Sequence, residues 1–297
     1  MCNPVPAPVA PETVAALVES VRRDRLREGE ALVVGFFGGE PPSDALLEAC
    51  GGLPLMVRVR PDLLSRADAR RLTAAGVTRI ELDALSLDRG ALREAGRAYP
   101  GALVLEQAAG IRALGLEAGV VLAPGLPATD HAIAVNDAAR SAGAFDTARL
   151  HPVVVLDQAL LREAHMDGTY APLTLAEAVT TCRAMLDVLE AGGTEVIRIG
   201  VQQGDGLGRL VAGPRHPAIR QLVEARAALP RLRNAVRAVP RGARVVLRVA
   251  RADETVTRGP FNQHIRTLRA EGGLASVRVV GDPGLPRGTL RVEVDGE

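Results

Sequence analysis

The sequence predicts a parallel α/β fold, barrel or doubly wound, followed by a small α+β unit. Three observations carry this. Short apolar runs alternate with stretches of helical period, turn residues gather directly after the apolar runs, and the pattern changes character near Pro240. A chain of 297 residues that is 47% hydrophobic is long enough to bury a full core.

Element by element, Val14, Leu17, Val18 and Val21 place a helix over Pro11 to Arg27, and Ala31–Phe37 is the first strand. It ends in Gly38-Gly39-Glu40-Pro41-Pro42, a turn signal. Leu55–Arg60 is a strand, Asp62–Ala75 a helix and Arg79–Leu85 a strand. Asp88–Leu114 is a pair of helices broken near Pro100-Gly101. Leu116–Ala123 is a strand closed by Pro124-Gly125-Leu126-Pro127, and Asp130–Ala142 is a helix. Thr147–Leu156 is a strand, Leu173–Ala191 a helix, Glu195–Gln202 a strand and Pro217–Leu229 a helix. The strands read as near-continuous apolar runs, so both sheet faces are expected to be covered. In the tail, Val245–Val249, Val277–Val280 and Leu290–Val294 are strands and Pro260–Glu271 a helix. The expected domains are therefore 1–235 and 240–297.

Composition removes several classes. All 36 basic residues are arginine, which excludes lysine nucleophiles and Schiff-base chemistry. The net charge of +1 gives no global field for polyanions, and 2% aromatic residues leave little for stacking bases. Three scattered cysteines, Cys2, Cys50 and Cys182, do not make a disulfide framework. No apolar run approaches the roughly 20 residues that span a bilayer, and no secretory leader pattern opens the sequence. A cytoplasmic location is the expectation.

The Gly38-Gly39-Glu40-Pro41 turn after an apolar strand resembles the GGE motif of radical S-adenosylmethionine (SAM) enzymes. Further along, Arg58-Val59-Arg60-Pro61-Asp62, Arg79–Asp88, Pro124-Gly125-Leu126-Pro127, Gly168–Leu173, Ile197–Gln202 and Ala212–Pro217 resemble, in order, segments of the Elongator catalytic-subunit radical domain and its short bacterial relatives. The resemblance implies a partial (β/α)6 TIM-like barrel lacking its first strand, with a small C-terminal α+β domain. It also implies SAM and a 4Fe–4S cluster as cofactors, and a 5′-deoxyadenosyl radical acting on a substrate it does not identify. Gly38, Gly39 and Glu40 are then expected to hold the methionine amino group, Arg60 the carboxylate through its fork of donors, and Ser86 a further cofactor contact.

The family's CxxxCxxC loop is not found in this sequence. Cys2-Asn3-Pro4, preceded by Met1, resembles the end of that motif, so Cys2 is the expected cluster ligand. The rest of the motif is expected upstream in an extended reading frame, and the chain as it stands is expected to be inactive. Two departures from the family pattern, Val59 before the matched arginine and Leu85 in place of a glutamine, each remove a polar group near the expected cofactor. Cys50 and Cys182 read as buried packing residues.

Other signals remain. Gly204-Asp205-Gly206-Leu207-Gly208 lacks dinucleotide-loop spacing. Of five histidines, His216 is the one to watch, with a turn role favoured, and no zinc spacing occurs. Arg226–Arg251 holds eight arginines and no acid, either a solvated face or a phosphate-binding stripe for transfer RNA or another RNA. The competing class is a cluster-free barrel acting as a binding or scaffold protein. An unrelated barrel with a phosphate site after its last strands is a third reading.

Overall fold

The structure, a computed structural model, describes residues 9–24, 32–201 and 208–295. The chain divides into two compact units, Met1–Arg215 and His216–Glu297.

In the first unit, the helices are α1 (Pro11–Asp24), α2 (Asp44–Glu48), α3 (Arg66–Ala74), α4 (Arg89–Glu94), α5 (Gly101–Ala113), α6 (His131–Ser141), α7 (Leu161–Met166) and α8 (Leu175–Ala191). The strands are β1 (Val34–Gly39), β2 (Leu55–Val59), β3 (Val77–Leu85), β4 (Glu117–Leu122), β5 (Thr147–Leu150), β6 (Val155–Leu156), β7 (Glu195–Ile199) and β8 (Leu210–Ala212). Six strands pair in the order β1-β2-β3-β4-β5-β7, all parallel, which is the α/β partial-barrel sheet the sequence implied. Helices between them are the crossovers that parallel pairing requires.

Register sorts the side chains onto two faces. On the helix-covered face Leu55, Val57, Val59, Ile80, Leu82, Ala84, Ala118, Val120, Leu122, Ala148 and Leu150 are buried, as are Leu72, Leu92, Val104, Ile111, Ala138 and Met185 of the helices. The other face, which we call the lumen face, is not apolar. Arg58, Arg60, Arg79, Glu81, Asp83, Glu117, Arg149, His151 and Arg198 fall on it. From Arg58 to Arg60 and along β3, at Arg79, Glu81 and Asp83, the charges fall at every second residue, a period the apolar residues between them obscured.

Helix starts follow local chemistry. Ser65 caps α3 and Thr174 caps α8, each in a reciprocal capping box, with Asp68 and Glu177. Two boundaries differ from expectation. The segment Thr147–Leu156 is not one strand: Pro152 cannot donate to a ladder, and β6 instead pairs antiparallel with β8 outside the main sheet. Asp62–Ala75 begins as a short 3-10 turn, Pro61–Leu63, before Ser65 starts α3.

The second unit comprises α9 (Ile219–Val236), β9 (Arg244–Ala250), α10 (Glu254–Arg258), α11 (Gln263–Gly272), β10 (Ser276–Asp282) and β11 (Leu290–Asp295). β9 lies centrally, parallel to β10 and antiparallel to β11. Helix α9 runs through Pro230 rather than stopping before it. An interior proline costs about 3 kcal/mol, and the helix beyond it is held because Leu232 and Val236 join the core of Val245, Leu247, Val249, Leu268 and Val279. Helix α9 belongs by this packing to the second unit, which begins at His216.

Candidate functional site

The C-terminal ends of β1 and β2 meet through backbone. The Arg60 amide donates to the Gly39 carbonyl at 2.8 Å, and Gly39 sits at φ +80°, where a side chain is strained. An alanine Cβ at Gly38 would meet nothing within 4 Å, and at Gly39 it would come 3.8 Å from Cγ of Arg60. The glycines thus leave backbone accessible beside Arg60, as the turn required. Gly38 and Glu40 also border an apolar groove between α1 and β1, lined by Val14, Val18, Val34 and Phe36.

Arg60 is not an idle fork. Its Nε and Nη2 bind Asp62 at 3.0 and 2.6 Å, and although burial pushes the Asp62 carboxyl up, Arg60 holds it below the usual range. A ligand carboxylate would have to compete with or share this pair. Ser86 directly follows β3. Its buried hydroxyl donates to Asp137 of α6 and accepts from the Asp88 amide at 3.0 Å. Burial pushes Asp137 upward, against the opposing pull of Ser86. Leu85 before it adopts φ +67°, a conformation costing a leucine about 1–2 kcal/mol. Strain of this kind collects at ligand sites.

Deeper on the lumen face lies a cluster that the motif comparison did not single out. Glu81, 1% exposed, accepts from Nε and Nη2 of Arg58 at 3.1 and 2.8 Å and from Nε of Arg149 at 2.7 and 2.9 Å. Gly119 makes room for it: a Cβ there would stand 2.8 Å from Cγ of Glu81 and 3.0 Å from Oγ1 of Thr147. Arg58 also stacks on Phe37, 4.7 Å from the ring centroid. Arg198, paired in register with Arg149, donates from Nε to the Gly200 carbonyl at 3.3 Å. Burial lowers its pKa, and the charges of Arg149 and Arg58 lower it further. His151 stands among the same three arginines, and burial followed by their charges pulls its pKa down to about 3. The period-two placement Arg58-Val59-Arg60 and Arg79-Ile80-Glu81-Leu82-Asp83 was the sequence signal for this polar lumen.

The described residues do not fit a 4Fe–4S cluster. No group of three or more His, Cys, Asp or Glu among them is placed to hold a metal. Cys50 is buried and donates to the Leu46 carbonyl, and burial lifts the Cys182 thiol to about 12. Cys2 and residues 202–207 lie outside the described residues. His216 accepts from the Ala218 amide, the turn role expected of it.

Residues 145–229 match the family described as Radical_SAM C-terminal domain. The fold resembles that of Elp3 from the archaeon Methanocaldococcus infernus, in a form lacking residues 1–46, at TM-score 0.61 and 18% identity over 78% of this chain and 62% of that one. SuiB from Streptococcus suis aligns at TM-score 0.50 and 12% identity, over 66% of this chain and 44% of its own. TsrM from Kitasatospora setae, a radical SAM methyltransferase solved with cobalamin and a [4Fe-4S] cluster bound, aligns at TM-score 0.31 and 15% identity over 48% of this chain and 24% of its own, too loosely to place either group here. No curated protein matches the chain. The chain is thus similar in fold to the archaeal protein and, over residues 145–229, to the Radical_SAM C-terminal domain family, and it spans 62% of the length of the archaeal protein it matches.

Proposed function

We propose that this chain is the SAM-holding barrel of a radical SAM enzyme, acting through a 5′-deoxyadenosyl radical on a substrate seated in the lumen. The observation that carries the reading is the open Gly38-Gly39-Glu40 corner, hydrogen-bonded to the Arg60 strand end, in a chain whose residues 145–229 match a radical SAM family. The exposed backbone of Gly38 and Gly39 and the carboxylate of Glu40 suit an ammonium group, and Arg60, shared with Asp62, suits the neighbouring carboxylate. SAM when bound supplies the deoxyadenosyl group. Because the described residues hold no cluster, no electron-transfer step is assigned to them, and Cys2 remains the one proposed cluster ligand. Cytoplasmic location belongs to the same reading, supported by the absence of any described helix long and apolar enough to cross a membrane.

The lack of a cluster-holding group among the described residues favours a second reading, a cluster-free barrel that binds without catalysis. Anaerobic reconstitution with iron and sulfide, followed by reduction in the presence of SAM, separates the two. Visible charge-transfer absorbance with release of 5′-deoxyadenosine supports the enzyme. SAM binding with neither signal supports the cluster-free barrel, and no SAM binding at all defeats both SAM-based readings.

RNA binding by the Arg226–Arg251 stretch is the least supported part of the proposal. Within that stretch Arg233 and Arg248 are bound by Glu271 and Glu293, acids from elsewhere in the second unit, which lowers the charge left for phosphates. Arg244→Ser with Arg248→Ser should weaken transfer RNA retention if the stripe binds it, and unchanged retention removes the idea.

A further inference from the structure

We propose that Arg58, Arg149, Arg198 and His151 form a binding site on the lumen face for a dianionic group of the substrate, either a phosphomonoester or a pair of carboxylates. The site stands on charge balance, an orphaned polar atom and access.

The neighbouring charges on the lumen face pair among themselves: Arg60 with Asp62, Arg79 with Glu117 and Arg97 with Asp83. What remains among the described residues is three guanidinium groups, Arg58, Arg149 and Arg198, against the carboxylate of Glu81. Among the described residues, three positive charges less one leave two uncompensated, in a half-buried setting where unpaired charge is costly. Among the described residues no carboxylate binds Arg198. The side of each guanidinium turned from Glu81, Nη1 of Arg58 and of Arg149, likewise has no acceptor among them. Such convergent forks suit an oxyanion.

His151 supplies an independent observation. Its Nε2 is buried and has no hydrogen-bond partner, as is Oγ1 of Thr147 on the same strand face. Packing leaves this imidazole nitrogen unsatisfied beside three arginines, and in the tautomer that carries its proton on Nε2 it would donate to a bound oxyanion. The imidazole is kept neutral by its surroundings, so it offers one N–H without adding a fourth charge. The cluster is not sealed: the Arg58 and Arg149 side chains are 17% and 16% exposed, and Phe37, on which Arg58 stacks, is an exposed aromatic ring at the lumen edge.

Assignment of the anion to the substrate rests on the radical SAM reading, whereas the anion site itself does not. Calorimetric titration of the full chain with inorganic phosphate and with succinate, at constant ionic strength, with and without saturating S-adenosylhomocysteine, tests both. Saturable binding of one of the two is expected, unaffected by S-adenosylhomocysteine. Arg198→Gln, which leaves both Glu81 ion pairs in place, should weaken it about 10-fold or more, the loss of one charge-assisted hydrogen bond. Arg198→Lys should recover part of the affinity at an unchanged melting temperature. Preference for phosphate identifies a phosphomonoester, and preference for succinate a dicarboxylate. Absence of saturable binding, or equal affinity in Arg198→Gln, overturns the site. Displacement of phosphate by S-adenosylhomocysteine overturns the substrate assignment, since the arginines would then hold the cofactor's own carboxylate. Phosphate binding without any S-adenosylhomocysteine binding keeps the anion site and defeats the radical SAM reading.

Discussion

Replacing Glu81 by glutamine keeps the size of the side chain and removes the charge that holds Arg58 and Arg149 together. The carboxylate is 1% exposed and accepts four hydrogen bonds from the two guanidinium groups. Removing one partner of a fully buried ion pair costs about 3–5 kcal/mol. The arginine ends retain 17% and 16% exposure, so water relieves part of the repulsion, and a loss of about 2–4 kcal/mol is expected after that discount. Urea unfolding followed by tyrosine emission suits the measurement. The chain has two tyrosines and no tryptophan, and both Tyr99 and Tyr170 lie in the first unit, so the signal follows that unit alone. With a slope of about 2 kcal/mol/M, the midpoint should fall by roughly 1–2 M. Phosphate should raise the midpoint of Glu81→Gln more than that of the parent, because three guanidinium groups then face no carboxylate. A midpoint within about 0.3 M of the parent would refute the reasoning and mean that solvent, not Glu81, compensates the arginines.

Three further outcomes are expected. His151 is neutral in the folded state down to about pH 3, whereas in the unfolded chain it takes a proton near its ordinary value of 6.5. The unfolded state therefore binds more protons between these values, and stability should fall as pH drops through that window; His151→Gln should flatten the acid limb of a melting-temperature profile, and an unchanged limb argues against a buried neutral imidazole. Gly119→Ala should destabilise the first unit by about 1–3 kcal/mol, since its Cβ would displace Glu81 or Thr147; combined with Glu81→Gln the losses should be less than additive, and strict additivity would separate the glycine from the cluster. Thr174→Ala should cost about 1 kcal/mol by opening the capping box of α8, read from the same tyrosine transition, and a neutral result would show that the cap is dispensable.

Much of the architecture was legible because its signals are local. The six parallel strands were placed from apolar runs and the turn glycines after them, and Pro100-Gly101 marked the break between α4 and α5. Where local rules failed, tertiary packing had outweighed them. Pro230 signals a helix stop, yet burial of Leu232 and Val236 carries α9 past it. Pro152 signals the reverse, an interruption inside an apolar run, and there the backbone obeyed it. The Gly38–Glu40 turn was visible as a motif, and in the structure the Gly39 carbonyl accepts from the Arg60 amide. Ser86 binds Asp137 of α6, a partner the motif did not indicate. The arginine cluster around Glu81 was not visible as a site, because its members come from β2, β3, β5 and β7. Only register shows that Arg58 meets Glu81 and that Arg149 meets Arg198.

The barrel as a SAM-binding structure is tested most directly by titrating S-adenosylhomocysteine into the full chain, its Gly39→Val variant and its Glu40→Gln variant. Saturable one-to-one binding is predicted for the parent, loss in Gly39→Val, where a β-branched residue would have to adopt φ +80°, and weakening in Glu40→Gln without a change in melting temperature. No binding by the parent, or equal binding by all three, would contradict the account.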